Sequence, residues 1–249
     1  MNDEWPTAIE HLYTVFACYR RPSRLDASPA RDPVKILGDL TSVPLRELPA
    51  DSLGAYAGHA MTTVGSDCEY RHFLPRIIEL SITPHGWMGL EPEQIAGNLN
   101  YGRWRTWPAD AQEAIVRAFK ASWITTRVQM PGDFEFGDIP SGAVDALCAL
   151  AILDVDIASL LACWTVPGSA DEARQMAEHI VIAADLDRWV YWRQAPPVHR
   201  RALWNWARSP AVRSALETAA IDLVADEHLW EIDRALIDIS VAGEPEGLS

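Results

Sequence analysis

Apolar side chains recur at intervals of three and four residues along almost the whole chain, and this spacing does most to limit what it can fold into. Such spacing gathers apolar groups on one face of an α-helix, whereas a half-buried strand alternates with a period of two. Alternating runs are short and few here. The expected class is therefore all-α, with about ten helices in antiparallel pairs, packed as an irregular helical bundle or a short HEAT-like α-solenoid. No strict repeat marks the sequence, which favours the irregular arrangement.

Prolines and capping residues place the individual helices. A stripe of Ile9, Leu12, Tyr13 and Phe16 follows Pro6, a residue tolerated in a first turn. The proline-rich stretch from Pro22 to Pro49 reads as irregular chain with one short turn around Lys35 to Leu40. Asp51 is the expected cap of a helix reaching about Thr62, and Asp67 that of DCEYRHFLPRIIELSI, which Pro75 either kinks or divides. Further helices are expected at 92–101 and from Pro108, the latter with Ala111, Ile115, Phe119 and Trp123 inward. Residues 128–142, VQMPGDFEFGDIPSG, form the one long loop beyond residue 90 and the expected seam of what otherwise reads as a single helical domain over 1–249. Beyond it, helices are expected near 141–153 and 156–164. A Ser169/Glu172 capping box then opens one that ends near Leu186. Three more begin at Pro196 or Pro197, at Ser209 with Pro210, and at Asp226, leaving 243–249 as a frayed tail.

Charge removes several classes of function. Thirty-five acids against 21 bases leave the 249-residue chain at −14, which opposes phosphate backbones and anionic lipid, so neither nucleic acid nor membrane is an expected partner. The longest apolar run, from Ala143, is interrupted by Asp145, Asp154 and Asp156 and reads as buried helices rather than a span. The opening MNDEWPTAIE carries acids where a secretory signal carries bases, so the expected location is cytoplasmic. Cys18, Cys68, Cys148 and Cys163 form no CxxC pair and read as reduced core residues. No metal or cofactor is implied.

Catalytic signatures are missing from the linear sequence. None of the seven histidines lies in an HExxH arrangement, and there is no glycine-rich phosphate loop and no GxSxG elbow. The pairs Asp154/Asp156 and Asp185/Asp187 suit helix ends better than a divalent cation. Two constellations remain. His72, Arg76 and Glu79 share a helix face if the helix continues past Pro75, and with Trp104 and Trp107 they could line a small basic, aromatic pocket. The same residues also read as an Arg76–Glu79 ion pair beside packed indoles. The second constellation is a run of eleven acids against one base, Arg174, between Pro131 and Asp187.

An acidic face of that kind steers a basic partner. The expected function is thus an acidic cytoplasmic protein-binding module that neutralises or escorts a basic protein, an immunity-protein-like inhibitor being one form. Asp133, Glu135 and Asp138 are its expected contact acids, with Phe134 and Phe136 as apolar anchors. The alternative is a helical enzyme or small-ligand-binding domain with its site near His72, Arg76 and Glu79. Eleven tryptophans, more than either Phe or Tyr, supply core wedges and interface anchors.

YRHFLPRIIEL followed by YGRWRTWPADAQEAIVRAF, from Tyr70 to Phe119, resembles a bacterial family of uncharacterised function in which FLPR-type and WxxWP-type segments occur at similar separation. The resemblance implies no activity and directs attention to Arg76, Trp104 and Trp107.

Overall fold

The structure, a computed structural model, describes residues 4–82, 89–128, 142–222 and 229–245. Among these the fold is all-α, with twelve α-helices, three single 3₁₀ turns, two isolated β-bridges and no strand. The chain divides into two compact units. One comprises residues 1–122 and 133–141, the other 123–132 and 142–249.

In the first unit the helices are α1 (Glu4–Phe16), α2 (Pro33–Leu40), α3 (Ala50–Ala57), α4 (Asp67–Leu80), α5 (Pro92–Tyr101) and most of α6 (Ala109–Thr126). α1 lays Ile9, Leu12, Tyr13 and Phe16 inward, the stripe its spacing predicts. It packs against α4, which runs unbroken through Pro75 and buries Tyr70, Phe73, Leu74, Ile77 and Ile78.

Two caps differ from expectation by one position or more. Ser66 rather than Asp67 caps α4: its hydroxyl accepts from the Cys68 amide, and the Glu69 carboxylate accepts from the Ser66 amide at 2.7 Å. Asp51 lies inside the first turn of α3, where its charge still suits the positive end of the helix. The stretch read as irregular between Pro22 and Pro49 contains a true helix, α2. Asp32 caps it by accepting from the amides of Val34 and Lys35, and Pro33 presets its first turn. That cap and the proline outweigh the breaker signal of the flanking prolines.

A close backbone approach ties α3 to the chain entering α5. Gly89 has φ +73°, and a Cβ there would lie 2.5 Å from the Cα and N of Gly58. Only glycine fits.

In the second unit the helices are α7 (Ala143–Ile152), α8 (Ala158–Ala162), α9 (Ala170–Ala184), α10 (Pro197–Ala207), α11 (Pro210–Asp222) and α12 (Leu229–Val241). α7 is buried on nearly all sides, as a helix apolar all round must be. α9 packs along α12 and α10, with Ala173, Met176 and Ile180 inward as predicted. The Ser169 hydroxyl accepts from the Glu172 amide, while the Glu172 carboxylate accepts from the amide of Gly168 instead of closing the box on Ser169. The expected Asp226 cap lies outside the described residues.

The cysteine expectation needs correction: none of the four is in a disulfide, but only Cys148 is buried. Cys18 follows the end of α1, Cys68 sits in the first turn of α4, and Cys163 follows α8. Each of these three positions is at a helix end, where side chains meet solvent.

Candidate functional site

The contact residues expected on the long loop, Asp133, Phe134, Glu135, Phe136 and Asp138, lie outside the described residues. Those of the alternative pocket lie in the first unit. Because α4 continues past Pro75, His72, Arg76 and Glu79 do share a face.

That face is occupied by its own pairings. Arg76 donates from Nη1 to Glu79 Oε2 at 2.7 Å and from Nε to the Leu48 carbonyl at 2.8 Å. The same Glu79 oxygen accepts from the Tyr13 hydroxyl at 2.7 Å. Burial first, and then this bond to a carboxylate, hold the Tyr13 phenol well above its ordinary range. Arg46 lies 3.8 Å over the Tyr13 ring and grips Glu10 with both Nη atoms, at 2.5 and 2.8 Å. The result is a chain of paired groups that ties α1, α4 and the turn at Leu45–Glu47 together.

His72 and the indoles take other partners. His72 Nδ1 lies 2.9 Å from the Tyr19 carbonyl, and burial lowers its pKa, with the charge of Arg21 acting in the same sense. Trp104 donates to Asn100 Oδ1 at 3.0 Å, and Trp107 to the Gly102 carbonyl at 3.2 Å. Arg71, paired with Asp67 at 2.6 Å, lies 4.4 Å from the Trp107 centroid. The structure thus joins Arg76 to Glu79 and sets both indoles in the core, buried to 1% and 3% exposure.

The second unit contains a cluster that linear spacing does not reveal. Trp164 stacks on Trp206 at 5.3 Å and meets Trp123 edge-on at 5.6 Å and His179 at 5.0 Å. Arg127 caps it, 4.9 Å over Trp123 and 3.6 Å from Glu172. His179 is fully buried, and its Nδ1 sits 2.7 Å from the Gln175 carbonyl, so the neutral ring donates there and Nε2 is left without a partner. Burial pushes its pKa down to about 4. The only hint in the sequence is the excess of tryptophan.

The acidic run proves heterogeneous. Asp156 accepts from the Ala158 and Ser159 amides at the start of α8, Asp154 from His199 at 2.8 Å, and Asp145 from the Gly142 amide at 3.1 Å. Asp187 pairs with Arg200, and Glu172 with Arg127. Asp171, Glu178 and Asp185 have no such partner among the described residues.

Glu178 stands apart. Its carboxylate faces Gly142, whose ideal Cβ would lie 3.3 Å from Oε2, at the point where the 128–142 stretch joins α7. Desolvation, then the charges of Asp145 and Glu231, push its pKa up to about 8. Glu231 is itself held by Arg174 through two bonds, at 2.8 and 2.9 Å.

No group of three or more His, Cys, Asp or Glu among the described residues could hold a metal ion, and no described helix is long and apolar enough to cross a membrane. Comparison of the chain with family models, with curated proteins and with solved structures gave no match.

Proposed function

We propose that the protein is an acidic binding module that neutralises or escorts a basic protein. The observation that carries this reading is the excess of negative charge around Glu178. Internal pairing absorbs much of the acidic run. Here, however, the charges of Asp145 and Glu231 act on Glu178, which has no ion-pair partner among the described residues and is driven toward taking up a proton. A lysine or arginine from a partner would supply the missing charge. Its binding would relieve a repulsion already present in the free protein, which is how charge complementarity yields both fast association and specificity.

The sequence supplies further contact groups for this reading, Asp133, Glu135 and Asp138, with Phe134 and Phe136 between them as apolar anchors. The pocket reading has weaker support, because the groups expected to line it are committed to one another.

The test is native mass spectrometry of tagged protein purified from its own host at low salt. A basic protein should co-purify and dissociate at high salt. The triple variant Asp133→Asn, Glu135→Gln, Asp138→Asn should then weaken binding at least tenfold and flatten its salt dependence. Unchanged affinity and salt slope would sink the steering role.

A further inference from the structure

Helix α12 is apolar on two opposite sides. Ile232, Ala235 and Ile239 are buried, on a helix that packs against α9 and α11. Trp230, Ile237 and Val241 nevertheless stand 59%, 61% and 77% exposed. With Arg234 they form one stripe. At about 100° per residue these four positions fall within about 60° of arc, opposite the buried set. A surface helix turns polar groups to solvent, whereas steps of four, three and four residues between apolar positions are those of a coiled-coil seam.

The seam specifies its own complement. In an antiparallel pair, a two-fold axis midway between Ala235 and Leu236 carries Trp230 onto Val241 of the second copy and Arg234 onto Ile237 of the second copy. The stripe then closes into four matched layers, with the largest side chain against the smallest apolar one at each end. A parallel pair would instead set Arg234 against Arg234 and indole against indole. The register thus selects the antiparallel arrangement.

Charge selects the same axis. Arg234 donates from Nε to Asp238 at 3.3 Å, and the midpoint of this pair along the helix lies within half a residue of the axis. The two-fold operation therefore brings two ion pairs together head to tail, each guanidinium beside the carboxylate of the other copy. Neither group has to leave the partner it already holds.

We infer that the outer face of α12 is an interface with a second copy of this chain, formed by antiparallel packing of the two helices about that axis. A seam of four layers buries less than the roughly 800 Å² per partner of a standard stable interface, so the association is weak and reversible. The inference does not rest on the proposed binding of a basic protein, and salt separates the two. Screening weakens attraction between opposite charges but relieves repulsion between two chains at −14, so this dimer tightens as salt rises.

The experiment is sedimentation equilibrium of the full-length protein from about 10 to about 500 µM, at about 50 and about 500 mM salt, a range that covers weak association. A monomer–dimer equilibrium should appear and shift toward dimer at the higher salt. Ile237→Asp should weaken it at least tenfold with the melting temperature kept, because this side chain faces water in the monomer. Arg234→Asp should weaken it as much, by setting like charges about the axis. The double variant Arg234→Asp, Asp238→Arg exchanges the two charges and should restore the parent affinity. A monomer at every concentration, a dimer indifferent to Ile237→Asp, or a double variant no tighter than Arg234→Asp overturns the inference.

Discussion

Adjacent residues on α9 are driven in opposite directions by their surroundings. Glu178 is raised, so between the ordinary carboxylate range and about pH 8 the folded chain binds a proton more tightly than the unfolded chain does. Stability from this group therefore falls as pH rises through that window. Glu178→Gln should raise stability at pH 8 by on the order of 1 kcal/mol, after discounting for its access to water, and should leave stability near pH 4 unchanged. Urea denaturation at both pH values checks this. The same substitution should weaken partner binding, so stability and affinity move oppositely. His179 is lowered, so the unfolded chain binds the extra proton and stability falls as pH drops from the ordinary histidine range toward about 4. Between pH 7 and 5 the parent should lose about 2 kcal/mol through this group, and His179→Phe should lose none of that share. Equal acid sensitivity in the two proteins would show that other groups set the acid limit. Arg76 and Glu79 were legible as a pair because i, i+3 spacing makes them neighbours. Tyr13, which completes their network, was not, because 66 positions separate it from Glu79.

Helix ends and close approaches decide the elements. Ser66→Ala removes the acceptor for the Cys68 amide and the hydroxyl bonded to Glu69, and should cost about 1 kcal/mol in chemical denaturation. Gly89→Ala should cost more, on the order of 3 kcal/mol, since it adds a Cβ into the backbone of Gly58 at a positive φ. A melting temperature unchanged by Gly89→Ala would mean that the approach relaxes without penalty. Most helices were legible from apolar spacing because burial of one face is what that spacing encodes. The exception was α2: the signal that makes it a helix, Asp32 ahead of Pro33, is a two-residue cap submerged in a stretch dense with prolines. Caps were read one residue late at Asp67 because serine and aspartate both accept there, and only backbone geometry selects between them.

At the scale of the whole molecule, net charge dominates. A chain at −14 repels itself, and screening should stabilise it: the melting temperature should rise by several degrees between about 10 mM and 150 mM salt. A fall would mean that the surface ion pairs, such as Arg213 with Glu217, outweigh the repulsion. The all-α class, the lengths of most helices and the sign of the charge follow from the sequence alone, because periodicity, caps and side-chain ionisation are local properties. Tertiary structure alone decided which acids are neutralised by a distant arginine or histidine, that Trp123, Trp164, Trp206 and His179 meet in one core, and that the outer apolar face of α12 is left open. Each of these depends on which surfaces pack together, and nothing in the spacing of neighbouring residues records that choice.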